Sequence, residues 1–292
     1  MLLPEFHYCA PQSAQEVFAL LKQYGSKAKL MAGGTDLINF MKTKAIVPDA
    51  VIDLKDLPGL DSIDWDPEKG LTIGALVKLR DVELSPVVKE HAPVLAEAVH
   101  LIASTQVRNK GTLAGNICNA SPSADSVPAL FVLDANLQVT GPDGDRLIPI
   151  NEFYTGFKKL ALLPDEFVTA VIIPPMKENE RAAYLAHTVR KAMDLAIVGV
   201  GVCLTMDEDD VCTDAKVALG AVAITCVRSP KAEAVLIGHK ITAELAEQAG
   251  LAAMDDCKPI TDVRASAEYR HDMVRVFTRR AVLAAAKRFE EV

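Results

Sequence analysis

Two short glycine-bearing turns lie far apart in this chain, Ala32-Gly33-Gly34-Thr35-Asp36 and Thr112-Leu113-Ala114-Gly115-Asn116, and their residue types suit one kind of chemistry. A pyrophosphate is held by several backbone N–H groups at close range, and a main chain comes that near only where no bulky side chain intervenes. Gly33, Gly34, Ala114 and Gly115 meet that condition. Either turn alone reads as an ordinary tight turn; the pair reads as two halves of a phosphate cradle. The second turn runs into a polar, proline-punctuated stretch from Cys118 to Pro128 that carries a carboxylate at Asp125. The competing role for Asp125 is an N-cap of a helix over 126–133.

Other residue groups exclude chemistry. Gly199-Val200-Gly201 lacks the third glycine and the following helix of a dinucleotide fingerprint, and alternate glycines in a strand predict close packing by a neighbouring element. No G-x-x-x-x-G-K-[ST] run occurs, which argues against a nucleoside triphosphatase. Cys9, Cys118, Cys203, Cys212, Cys226 and Cys257 form no C-x-x-C pair or cluster, so no iron–sulfur cluster is expected in this chain. The histidines show no paired metal spacing, and Asp207-Glu208-Asp209-Asp210 lacks the spaced pattern of a calcium loop and reads as a solvated turn.

The elements that must position the two turns follow from periodicity. A strand over 6–9, a helix opened by the capping box Ser13-Ala14-Gln15-Glu16, a strand over 29–32, a helix capped by Thr35 or Asp36 and a strand over 51–54 make a small α/β unit, residues 1–58. Its phosphate turn lies where a strand meets a helix N-terminus, which favours an anion. Residues 59–175 change to antiparallel texture: hairpins over 62–75 and 137–150, a helix over 94–103, and a strand over 167–173 closed by Pro174-Pro175. The boundary is placed there. Residues 176–292 read as strands over 184–189, 197–206 and 216–223, then helices from Lys231, Thr242 and Ala267. The fold class is α+β, with a three-stranded antiparallel sheet and a helical bundle at the C-terminal end.

A chain of 292 residues suggests two or three packed subdomains. Half of it is hydrophobic and 24% charged, and its apolar runs fall short of a bilayer span. The N-terminus lacks the basic start and apolar core of a signal peptide, which places the chain in the cytoplasm with reduced cysteines. A net charge of −8 argues against nucleic acid as a partner.

Four segments carry a resemblance that spans the chain: KLMAGGTDLI, STQVRNKGTLAGNICNASPSADSVPAL, LLPDEFVTAVIIPP and RKAMDLAIVGVG. They resemble, in order and approximate spacing, the FAD-binding medium subunit of the molybdenum hydroxylases, the xanthine dehydrogenase and carbon monoxide dehydrogenase group. NICNASPSAD and RKAMD look most like bacterial xanthine dehydrogenase FAD subunits. The extra cysteine-bearing insertion of the hydroxybenzoyl-CoA reductase branch is not seen here.

The resemblance implies a noncovalent FAD, with 2Fe-2S clusters and molybdopterin only in a small and a large partner subunit, NAD or another molecule as electron acceptor, and a purine as first expected substrate, ahead of nicotinate-type heterocycles and CO. It places Lys29, Leu30, Met31, Ala32, Gly33, Gly34, Thr35 and Asp36, with Thr112, Ala114, Gly115 and Asn116, around the pyrophosphate, the Thr35, Thr112 and Asn116 side chains acting as donors. Asp125 falls at the ribityl hydroxyls, Ile102 and Val168 pack against the cofactor, and Leu195 lies beside the isoalloxazine ring. Where relatives carry a lysine near the flavin, this chain has Ala186-His187; Lys191 or His187 is the candidate substitute as donor or positive charge, and the competing role for His187 is that of a satisfied structural histidine. No catalytic side chain is implied. The alternatives are a self-contained flavin oxidase or dehydrogenase of the same superfamily and a non-catalytic phospholigand scaffold.

Overall fold

The computed structural model describes residues 2–190 and 193–289. Its first unit is a parallel sheet of β1 (His7–Cys9), β2 (Ala28–Met31) and β3 (Ala50–Asp53), in the order β1-β3-β2, with helices α1 (Ala14–Tyr24) and α2 (Leu37–Lys42). Ser13 opens α1 by accepting the Glu16 amide at 3.3 Å, and Gly25, at φ 52°, closes it. Val17 and Leu21 face the sheet and pack with Ala28 and Ile52. The first glycine turn therefore leaves the carboxyl end of a parallel strand, the end at which such sheets bind ligands.

The second unit holds β4 (Ile63–Asp66), β5 (Gly70–Gly74), β6 (Asn136–Gly141), β7 (Gly144–Pro149) and β10 (Phe167–Ile173) in an antiparallel sheet ordered β4-β5-β10-β6-β7. A small hairpin, β8 (Tyr154–Gly156) and β9 (Lys159–Leu160), stands beside it. Between β5 and β6 run six short helices: α3 (Leu79–Leu84), α4 (Pro86–His91), α5 (Pro93–Leu101), α6 (Thr105–Arg108), α7 (Leu113–Cys118) and α8 (Ser126–Val132). Leu137 and Val139 alternate with half-buried Gln138 and Thr140 along β6, the period of a sheet with one face in the core.

The third unit is an antiparallel sheet of β11 (Glu180–His187), β12 (Val198–Met206), β13 (Cys212–Gly220) and β14 (Val227–Arg228), in that order, followed by α9 (Pro230–Leu236), α10 (Ala243–Met254) and α11 (Ala267–Lys287). The fourth strand has two residues and adds to the three that periodicity shows.

All nine residues of β12 are buried, because both faces of this sheet are covered. Val198, Val200, Val202 and Leu204 pack with Val274, Ala281 and Val282 of α11 on one face. The other face meets α8, and the expected role of the alternate glycines is visible there. A Cβ on Gly201 would come 2.7 Å from the Pro128 carbonyl oxygen, and one on Gly220 would come 2.9 Å from the Pro128 ring. Only bare backbone fits.

Candidate functional site

The fold brings the two glycine turns together. Gly33 lies so close to Lys110 and Gly111 that a Cβ there would overlap the Lys110 carbonyl oxygen, and a Cβ on Gly111 would meet Thr35 Oγ1 at 3.3 Å. Gly34 takes φ 71°, which a residue with a side chain adopts only under strain. Among the described residues, the amides of Gly33, Gly34, Thr35 and Asp36 have no acceptor within the chain. Asp36 stands at the N-cap position of α2, but its side chain makes no capping bond. Four adjacent donors thus lie beside a bare-backbone contact between two loops, an arrangement suited to phosphate oxygens.

The second turn is built differently. Thr112 caps α7, its hydroxyl oxygen accepting the Gly115 amide at 3.0 Å, so that amide is partly committed to the helix. Among the described residues the Thr112 hydroxyl proton and the Ala114 amide have no acceptor and remain available as donors. Asn116 Oδ1 accepts the Ser126 hydroxyl at 2.6 Å, which orients its Nδ2 amide as a donor. Gly115 is exposed between buried Ala114 and half-buried Asn116, so the main chain reaches the surface there.

Asp125 occupies the N-cap position of α8 without a side-chain bond to the helix. Its Oδ1 instead accepts the hydroxyl of Tyr184, on β11, at 2.7 Å, so the capping role gives way to a buried tertiary contact. Burial pushes the carboxyl up to about 6, against the lowering effect of the Tyr184 bond and the residue's own amide. The Tyr184 phenol is raised well above its ordinary value, first by burial and then by the carboxylate.

The remaining expected residues are more dispersed. Ile102 and Val168 are buried in the same core cluster as Leu113, Ala114 and Ile117. Leu30 and Ala32 pack on the core of the first unit, and the Met31 side chain lies along Gly34. The Lys29 ammonium donates to the Ser26 carbonyl at 3.3 Å, at the end of β2 opposite the glycine turn. Leu195 is exposed on the loop between β11 and β12, whose neck is closed by Ile197 N donating to His187 O at 2.7 Å. Lys191, on the same loop, lies outside the described residues.

His187 does not supply the positive charge the sequence left open. Its Nε2 pairs with the Tyr269 hydroxyl at 2.9 Å and its ring stacks on Phe277, 5.2 Å between centroids. Burial, and then Arg280, lower its pKa and keep it neutral.

Sequence reasoning passed over Tyr184, and Arg108 and Glu83 as well. Arg108, in α6 just ahead of the second turn, donates through Nε to Glu83 Oε2 at 2.8 Å and through Nη1 to the Ile102 carbonyl at 2.8 Å. Glu83 also accepts from Arg80 and pairs with His100, and these bonds together with Arg108 hold its carboxyl down at about 2 against its burial. Arginine inside the RNKGT stretch was the available signal; nothing in the sequence named its partner.

Fold and site together define a chain with two non-Rossmann glycine turns set side by side, a donor-rich cradle of the kind that suits a phosphate-bearing cofactor. Residues 4–176 match the family described as the FAD binding domain in molybdopterin dehydrogenase, and residues 183–285 match the CO dehydrogenase flavoprotein C-terminal domain, so the chain belongs to this family of molybdenum hydroxylase FAD subunits. It is 35% identical to the carbon monoxide dehydrogenase medium chain of Hydrogenophaga pseudoflava, over 98% of each chain. It is 31% identical to the putative xanthine dehydrogenase FAD-binding subunit of Escherichia coli K12, over 88% of each. A solved structure of the H. pseudoflava carbon monoxide dehydrogenase superposes with a TM-score of 0.94 at 35% identity, covering 99% of both chains. The unpartnered amides, the contact that leaves no room for a Cβ, and the oriented Asn116 amide fit the FAD that this family binds.

Proposed function

We propose that this chain is the FAD-carrying relay of a heteromeric, cytoplasmic molybdenum hydroxylase. It takes electrons from a small 2Fe-2S subunit and passes them to NAD or another acceptor, while a large molybdopterin subunit oxidises a purine or similar heterocycle. The observation that carries this reading is the meeting of Gly33 with Lys110 and Gly111 beside four unpartnered amides, in a chain of this family.

FAD supplies the redox chemistry when bound. The chain binds and orients it. The amides of residues 33–36, the Thr112 hydroxyl, the Ala114 amide and the Asn116 amide would hold the pyrophosphate, with β2 and Ala32 as their support. Gly115 keeps the second turn open to it. Asp125 would take the ribityl hydroxyls, Ile102 and Val168 would pack on the cofactor, and Leu195 and Lys191 are the residues assigned to the ring. No side chain of this chain is asked to act as nucleophile or general base. Residues 1–175 serve as the flavin-holding part and 176–292 as its C-terminal support.

Carbon monoxide is the second substrate reading, favoured by the identity with the H. pseudoflava medium chain. The choice between substrates belongs to the large subunit. Purification of the tagged native protein with its partners tests the proposal. Iron, molybdenum and flavin should co-purify, and anaerobic xanthine, nicotinate or CO should bleach the flavin of the complex. NADH should bleach it if NAD is the acceptor. Organic substrate oxidation by the purified single chain would replace the relay with a self-contained flavoenzyme.

A further inference from the structure

We propose that Tyr184 is a positioning residue for the flavin: from the C-terminal sheet, its hydroxyl fixes the Asp125 carboxylate in the orientation that receives the ribityl hydroxyls. The inference rests on the reading of Asp125 as the ribityl contact. The geometry is specific. Tyr184 is 5% exposed, Asp125 is 7% exposed, and the 2.7 Å bond between them joins residues 59 apart in sequence. Among the described residues no other side chain bonds the Asp125 carboxylate: Oδ1 is spent on Tyr184, and Oδ2 has no side-chain partner.

The tyrosine is itself seated by design of the backbone. A Cβ on Gly199, diagonally across on β12 and paired with Ala186, would come 2.5 Å from the Tyr184 hydroxyl oxygen and 3.3 Å from the ring carbon that bears it. Glycine at 199 therefore makes the slot in which the phenol reaches Asp125. From the other side, Ala221, at the end of β13, donates its amide to the Pro122 carbonyl at 2.7 Å, which ties the segment leading into Asp125 to the same sheet. Ala120 and Ala221 both hold positive φ, 50° and 65°, so this segment and its tether are kept in conformations that the surroundings must impose.

The electrostatics give the arrangement a readout. The further titratable group that acts on the pair is Cys226, ahead of β14, which faces Tyr184. Burial raises the Cys226 thiol, so it stays neutral near pH 6. Asp125, at about 6, is the group that changes charge there. An ionised carboxylate accepts a hydroxyl more strongly than a protonated one. FAD affinity should therefore fall as pH drops through about 6. The Tyr184 bond lowers the Asp125 pKa, so its loss should move that fall to higher pH.

The test is fluorescence titration of the apo-chain with FAD between pH 5 and 8, for the wild type, Tyr184→Phe, Asp125→Asn and Asp125→Ala, with apo-protein melting measured alongside. Tyr184→Phe should shift the midpoint upward and bind FAD roughly tenfold more weakly at pH 7, as expected for loss of one bond to a charged group. Asp125→Asn should flatten the pH profile. Wild-type affinity and midpoint in Tyr184→Phe, with Asp125→Ala weakened, would overturn the positioning role alone. Wild-type affinity in both Asp125 variants would overturn the ribityl reading and the inference with it. Should Tyr184→Phe not fold, Gly199→Ala displaces the hydroxyl while keeping the ring, and the same shift is expected of it; an unshifted profile there counts against the proposal.

Discussion

The guanidinium of Arg108 and the carboxylate of Glu83 meet at 2.8 Å with both side chains 7% exposed, and the chain between them, residues 84–107, is folded around that contact. The pair does more than neutralise two charges. Arg108 also holds the Ile102 carbonyl, next to Ala103 at φ 47°, and two residues further on Lys110 lies against Gly33. The bent loop ahead of the second glycine turn is thus clamped at its start and finish.

Replacing Arg108 with alanine leaves Glu83 buried with only Arg80 and His100. Removal of one partner from a buried pair costs on the order of 3–5 kcal/mol, and the two remaining partners should keep the loss at the low end. Chemical denaturation of the apo-chain measures this, and FAD affinity should fall with it as the loop loosens. An unchanged midpoint of unfolding would show that the clamp is dispensable.

Glu83 also sets an acid limit. Its folded pKa, about 2, lies below its ordinary 4.5, so the stability it contributes is fully present above pH 4.5 and is lost as pH falls through 2. Glu83→Gln should be less stable than wild type at pH 6, and the gap should narrow steadily between pH 4.5 and 2. Denaturant midpoints across that range provide the measurement.

Gly33→Ala and Gly115→Ala should separate the two turns. The first forces backbone against backbone at Lys110; the second meets only the Thr112 hydroxyl, at 2.9 Å. Gly33→Ala should purify largely without flavin. Gly115→Ala should retain FAD with an affinity reduced about tenfold, the effect of weakening one or two bonds to a charged ligand. Equal flavin content in the two variants would sink the assignment of Gly33 to the contact between loops.

Arg270, on α11, is buried and donates to the carbonyls of Ile197 and Ala221, at the ends of β12 and β13, while pairing with Asp262. Arg270→Met keeps the apolar stem and removes these bonds. It should destabilise the chain by about 3 kcal/mol and loosen the 188–197 loop. Hydrogen exchange should show faster exchange at Ile197 than at Val202.

Much of the fold was legible from period and punctuation. Phe167–Ile173 stands where the apolar run before Pro174-Pro175 put a strand, and the hairpins flank their glycine turns as expected. The strand Val227–Arg228 escaped because two residues carry no period. Within the candidate site, Gly33 and Gly34 were legible because a close main-chain approach shows in residue type, and Asn116 because its side-chain amide is itself a donor. Tyr184 was not, since its partner is fixed by the pairing of β11 with β12 and by an absent side chain at Gly199. Glu83 and Arg108 escaped for the same reason: a buried ion pair is a property of the packed chain. For His187 the sequence left two roles open, and the structural one holds because Tyr269, Phe277 and Arg280, all from a distant helix, surround the ring.

The sheet of β11 to β14 belongs to two cores at once. Ala182, Tyr184, Cys203 and Ala218 lie in the same cluster as the helices of the second unit, while their strand neighbours lie in the cluster of α9 to α11. A chain severed at the proline pair would leave α5 and α8 with a raw apolar flank and β12 with a row of naked glycines. The two halves are therefore lock and key to one another: what Pro128 presents in one decides which residue the other can carry at 201 and 220.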